Sequence, residues 1–230
     1  VGSAAEEAGG HGGLALDVDL RERGRSVREV VGVGEPDRGG GHAVDAGRVH
    51  DTHSLAEYVT GRLWTTGRTD TATARLAATG VNPDALDAAW CVRTPSATAR
   101  TNSRTLGRAL TRTAARLVPD QPIALTDGRH PVQPVAFGLL AIAVGCDPDE
   151  AAFASTHAIA ASLSAAGLRL LSLDPFDVTA ALHDLHREID GVARSTVGLV
   201  DEHDLPHAST PFAEIDIELQ SLLPSRLFRS

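Results

Sequence analysis

Apolar residues recur at helical spacing through most of this chain, and the most regular run covers residues 147–173. Asp147 reads as an N-cap, Pro148 as the first helical residue and Glu150 as the partner that answers the cap. Two stripes follow at helical period. One is apolar, through Ala152, Ile159, Leu163, Ala166 and Leu170. The other is small, through Ala151, Ser155, Ala158, Ser162 and Ala165, and ends at Arg169. Small side chains admit neighbouring helices closely, so this segment is expected to be the central helix of an all-α domain.

The rest of the pattern agrees with that fold class. A helix is predicted from a cap at Thr52 or Ser54, through Leu55, Val59 and Leu63, on to Leu76 and Ala77, with Gly80 as its stop. Asn82-Pro83-Asp84 opens a short helix carrying Leu86, Ala89 and Trp90. Beyond Thr94-Pro95, Leu106, Ala109, Leu110, Thr113 and Leu117 line one helical face, while Arg100, Arg104, Arg108, Arg112 and Arg116 form a second row. Like charges at this spacing repel, so carboxylates are expected beside them, from this chain or from an acidic partner. Residues 132–145 are nearly all apolar and read as a buried helix. Asp174-Pro175 repeats the cap-then-proline start for a helix with Val178, Leu182, Leu185, Ile189 and Val192. A last helix carries Phe212, Ile215, Leu219 and Leu222, is stopped by Pro224, and leaves an apolar, cationic tail. The expectation is a single-domain helical bundle of about seven to ten helices.

Residues 1–40 break the pattern. They are rich in Gly and charge, with one alternating patch from Leu14 to Leu20 that suits a short strand or a flexible arm. Val30-Val31-Gly32-Val33-Gly34 lacks the third glycine of a dinucleotide loop, and Pro36 interrupts the helix such a loop needs. The domain division expected is therefore an atypical arm over 1–40 and a helical domain over 41–230.

Composition narrows the chemistry. At 230 residues the chain can bury a sizeable core, and with 3% aromatics that core must be Ala, Leu and Val. Every cation is Arg, and a net charge of −9 argues against nucleic-acid binding. Two cysteines, Cys91 and Cys146, make no disulfide framework and fit a reduced, cytoplasmic setting. No apolar run is taken as membrane-spanning, and no signal-peptide core stands at the N-terminus. The chain contains no Met and begins at Val1, as in a fragment or a chain whose start codon is translated literally. Ten His raise a metal site or a hydrolase as the alternative. His183 and His186 lie at i, i+3 with Glu188 nearby, and His50 with His53 makes a second pair. Each pair lacks a third ligand, and the apolar face around the first belongs to Leu182, Leu185 and Ile189. No phosphate loop, nucleophile elbow or Cys-x-x-Cys is present, nor a basic recognition helix of a ligand-binding regulator.

One set of motifs carries a resemblance. His130-Pro131 with Phe137-Gly138, then Ser162-Leu163-Ser164-Ala165-Ala166 leading to Arg169-Leu170, then Arg226-Leu227-Phe228 and Ser230, resemble the UreF urease accessory proteins. Ser103 with Gly107-Arg108 is similar to that family's S..QGR signature, with Leu106 in place of Gln. Gly40-Gly41-His42 and Gly61-Arg62-Leu63 through Thr66-Gly67 resemble its first regions, so the likeness spans about 40–230. The Ser-Gly-Gly stretch that follows that glycine turn in the family is absent here, and no Leu- and Ala-rich lead is recognisable in residues 1–38. The resemblance implies a helical chaperone, not a catalyst, with no stably bound cofactor. It implies partners UreD (also called UreH), the GTPase UreG and apo-urease, a homodimer within the complex, and nickel handled by the assembly. By position, Arg226, Leu227, Phe228, Ser230, Arg108 and Ser103 match partner-binding positions. Ser162, Ser164, Arg169, His130 and Gly138 match structural ones, and no residue matches a catalytic role.

Overall fold

The computed structural model describes residues 48–208 and 211–222. The arm over 1–40, its alternating patch and glycine run, Gly40-Gly41-His42, Pro224 and the tail residues Arg226, Leu227, Phe228 and Ser230 all lie outside the described residues. What is described is all helical. Nine α-helical segments run in order: α1 Thr52–Arg62, α2 Arg68–Ala78, α3 Pro83–Arg93, α4 Ala97–Leu117, α5 Gln133–Ala143, α6 Pro148–Leu171, α7 Pro175–Asp184, α8 His186–Arg194 and α9 Pro211–Leu222. A π-helical turn, Leu63–Gly67, joins α1 to α2, and a 3-10 turn, Glu202–Asp204, precedes α9.

The helix starts follow from local chemistry. Asp51 and Ser54 form a capping box at α1, so the cap is Asp51 and neither Thr52 nor Ser54, with Ser54 answering it from the third helical position. Asp147 and Glu150 do the same at α6, as the pattern predicts. Asn82 accepts from the Asp84 and Ala85 amides at the head of α3, and Asp174 from the Phe176 and Asp177 amides at the head of α7; Pro follows both. Gly80, at φ +89°, turns the chain after α2.

Buried side chains gather in two large clusters and a small third one of Ala78, Ala141 and Ala151. The first gathers large aliphatics: Val59 of α1, Leu63 of the π turn, Leu163 of α6, Val178 of α7, Leu185 at the break, and Ile189 and Val192 of α8. The second joins Leu76 of α2 to Leu86 and Trp90 of α3, Val132 and Val135 at α5, and Leu205. The π turn links these two, and its Thr65 sits at φ −109°, ψ −106°, outside helical space. The Thr65 hydroxyl donates to the Gly61 carbonyl (2.6 Å), and the neighbouring Trp64 indole donates to Glu188 on α8.

Three expectations change. The helix with least solvent is α2, where Thr69 and every residue from Thr71 to Ala78 are buried; α6 is its long neighbour, not the sole centre. Among the described residues, α6 by length and composition would also pass as a membrane span, but half of its most apolar window is buried inside the bundle. The helix predicted after Asp174 divides at Leu185, at φ −74°, ψ 0°, into α7 and α8. Leu185 is itself buried, so the apolar spacing runs through the break unaltered.

Candidate partner-binding surface

The arginine helix α4 packs by its smallest residues. Its buried positions are Ser103, Gly107 and Ala114, whereas Ala109 is exposed and Leu106, Leu110, Thr113 and Leu117 are half-buried. The apolar face expected from the sequence is thus displaced around the helix. The cause is contact distance: a Cβ on Gly107 would lie 2.0 Å from the Pro131 carbonyl oxygen, so only glycine lets α4 settle against the chain entering α5. Ser103 completes that contact, its hydroxyl accepting from the Gln133 amide at 3.0 Å.

The same junction contains a buried carboxylate. Asp87, 3% exposed on α3, accepts from both terminal nitrogens of Arg104 at 2.5 and 2.6 Å and from the Val132 amide at 2.8 Å. Arg104 also donates to the His130 carbonyl at 3.1 Å. A two-pronged pair that locks α3, α4 and the head of α5 is the geometry that makes a buried charge tolerable. The His130 ring nitrogen Nδ1 is buried without a hydrogen-bond partner among the described residues. Ser103 and Gly107, one turn apart on α4, therefore meet His130, more than 20 residues on, at one packing node. Gly138 makes a second close approach: a Cβ there would lie 2.1 Å from the Ala74 carbonyl of α2.

Along the arginine row the roles divide. Arg100 donates to the carbonyls of Thr94 and Pro95 at 2.5 and 2.7 Å, and Arg104 takes Asp87. Arg108, Arg112 and Arg116 are exposed and make no hydrogen bond or ion pair with the described residues. Among the described residues, the row thus meets an internal carboxylate only at Arg104.

At the head of α4, α9 is fastened. Glu218 accepts from the Ser96 hydroxyl (2.5 Å) and from the amide and hydroxyl of Thr98 (3.0 and 2.8 Å), occupying the N-terminus of α4. The Ser96 and Thr98 hydrogen bonds hold its carboxyl below the usual carboxylate range. Burial pushes Glu214, one turn earlier, up instead. Ile217 faces inward, while Ile215 and Leu219 are 52% and 41% exposed. A helix clamped to α4 thus displays apolar side chains just before the cationic tail of the sequence.

The remaining candidates are dispersed. On α6, Ser164 is buried, Ser162 half-buried, and Arg169 exposed without a carboxylate or carbonyl partner among the described residues. His183 and His186 are exposed, their ring centroids 5.7 Å apart, with His186 Nδ1 3.0 Å from the His183 carbonyl. Exposed His50 and His53 lie 3.7 and 3.6 Å from Asp51 and Glu57. Among the described residues no three or more His, Cys, Asp or Glu gather as for a metal ion. Burial pushes both half-buried thiols, Cys91 and Cys146, up. Sequence reasoning missed Asp87 and Glu218. Asp87 was visible as an acid on the apolar side of a helix with Leu86 and Trp90; Glu218 had no such signal, since its partners lie 120 residues or more away.

Comparison with known proteins supplies the family. A model described as UreF matches residues 49–186, which include the π turn, the packing node, α6 and α7. The urease accessory protein UreF of Mycolicibacterium vanbaalenii is 37% identical over 142 residues, 60% of this chain and 66% of that protein. The UreF of Mycobacterium sp. (strain JLS) is 34% identical over 152 residues, 66% of this chain and 72% of the relative. That of Mycobacterium marinum is 30% identical over 164 residues, covering 70% and 77%. With a family model matching more than half its length, on an all-helical framework, the chain belongs to the UreF family of urease accessory proteins.

Proposed function

We propose that this chain is a non-catalytic chaperone of urease maturation in the cytoplasm, bridging UreD/UreH and the GTPase UreG so that nickel enters the apo-urease active site. In that reading it works as a homodimer inside the complex, holds no cofactor of its own, and treats nickel as cargo of the assembly. The observation that carries the reading is the α4–α9 unit. Glu218 fixes α9, Ile215 and Leu219 stay in water, and the sequence then runs into Arg226, Leu227 and Phe228. Exposed apolar side chains joined to a cationic end suit a surface completed by another protein. His183 and His186 offer two imidazoles, short of the three protein ligands of a catalytic zinc-type site.

The test is truncation. Removing residues 226–230 is expected to abolish capture of UreG by the complex with UreD/UreH, while circular dichroism and the thermal midpoint stay unchanged. Undiminished capture would remove the tail from the mechanism.

A further inference from the structure

The exposed side of α4 is built unlike the rest of this acidic chain. Twenty-one residues pass without one Asp or Glu, in a protein carrying 30 of them. That side presents Thr101, Thr105, Arg108, Ala109, Arg112, Ala115 and Arg116, all exposed. The hydroxyls of Thr101 and Thr105 are turned into the helix, donating to the carbonyls of Ala97 (3.0 Å) and Thr101 (3.1 Å). What faces outward is methyl groups and three arginines whose backbone positions the helical rise sets about 6 Å apart.

The geometry points to a docking strip for one α-helix of a partner protein that carries carboxylates at i, i+4 spacing. Three features select that occupant. Guanidinium groups one turn apart match carboxylates one turn apart on a helix laid alongside, and bind them two-pronged. Small, smooth side chains between them let the two helices approach closely. A nucleic acid would extend its phosphates far past the strip into the field of a chain with net charge −9, whereas a folded partner meets only the strip. The inference goes beyond the urease reading: the resemblance marks Arg108 alone of this row as partner-binding, whereas the strip adds Arg112 and Arg116 and a carboxylate-bearing helix as occupant, and its test needs no urease component.

The test is a titration of the full chain, labelled with nitrogen-15, by a helical peptide bearing three glutamates at i, i+4, followed through the arginine Nε–Hε resonances. At about 20 mM salt those of Arg108, Arg112 and Arg116 should move, and at about 200 mM the shifts should collapse. The glutamine version of the peptide should leave them still. A variant with R108E, R112E and R116E should bind at least about tenfold more weakly, as three exposed charge pairs imply. Because reversal could unsettle α4, the neutral R108Q, R112Q and R116Q chain is the second variant, with an amide spectrum unchanged outside α4 and the same loss. Shifts centred on Arg169 or Arg187, equal binding by the glutamine peptide, or tighter binding of a short single-stranded oligonucleotide would overturn the assignment.

Discussion

Helices α2 and α6 lie against one another and bury themselves by opposite means. The α2 sequence, RTDTATARLAA, holds one large apolar residue, Leu76, yet nine of its eleven residues are buried. The α6 sequence is far more apolar, yet half of its most apolar window stays outside the core, with Phe153 39% exposed and Arg169 in solvent. The difference is how each meets its neighbours. Small residues of α2 let α5 come so close that Gly138 rests on the Ala74 carbonyl. The polar groups of α2 all find partners: Thr73 donates to the Thr69 carbonyl (2.8 Å), Thr71 meets Thr156 of α6 (2.9 Å), and Thr69 donates to the Pro206 carbonyl (3.2 Å). Arg75, 8% exposed, donates to Thr196 at 2.9 Å and pairs with Asp149. In a core poor in aromatics, backbone approach and polar satisfaction decide what is inside more than hydropathy does.

The largest effect should come where that approach is closest. Gly138→Ala pushes a methyl group into backbone that cannot rotate away, and overpacking of this kind should cost about 3 kcal/mol or more in urea unfolding. A loss below about 1 kcal/mol would mean that α2 and α5 separate easily and that close packing does not explain the burial of α2.

A smaller effect tests the hydrogen-bond half of the comparison. Thr156 donates to the Ala152 carbonyl (2.8 Å), so Thr71 is the donor in the pair that joins the two helices. Thr156→Val leaves the fully buried Thr71 hydroxyl without its acceptor and should cost about 1–3 kcal/mol. Adding Thr71→Val removes the orphan, so the double variant should unfold at higher urea than Thr156→Val alone. If the double variant is the weaker one, van der Waals fit and not satisfaction holds the threonines there.

These positions also mark how far the sequence could be read. The caps at Asp147, Asn82 and Asp174 and the turn at Gly80 were legible because each is settled within three or four residues. The burial of α2 was not, since its reasons, Gly138 and Thr156, stand on other helices. The face of α4 was misread for the same cause: apolar count favoured Leu106 and Leu110, while Pro131 selected Gly107. Of the candidate surface, the arginine row was visible as a period. Which end of it would be consumed depended on Asp87, 17 residues upstream of Arg104.

The smallest effect belongs to the exposed end of α6. Arg169 makes no contact with a carboxylate or carbonyl among the described residues and lies in the last turn of its helix. Its only stabilising role is then the attraction of a cation to the helix C-terminus, worth about 0.3–1 kcal/mol at low salt. Arg169→Ala should therefore shift the urea midpoint slightly, and the shift should vanish in high salt and be restored by Arg169→Lys. A salt-independent loss that Lys fails to restore would reveal a guanidinium held by specific acceptors. The apolar helix would then be anchored at both ends by polar contacts, as α2 is, and the contrast between the two helices would rest on the glycine crossing alone.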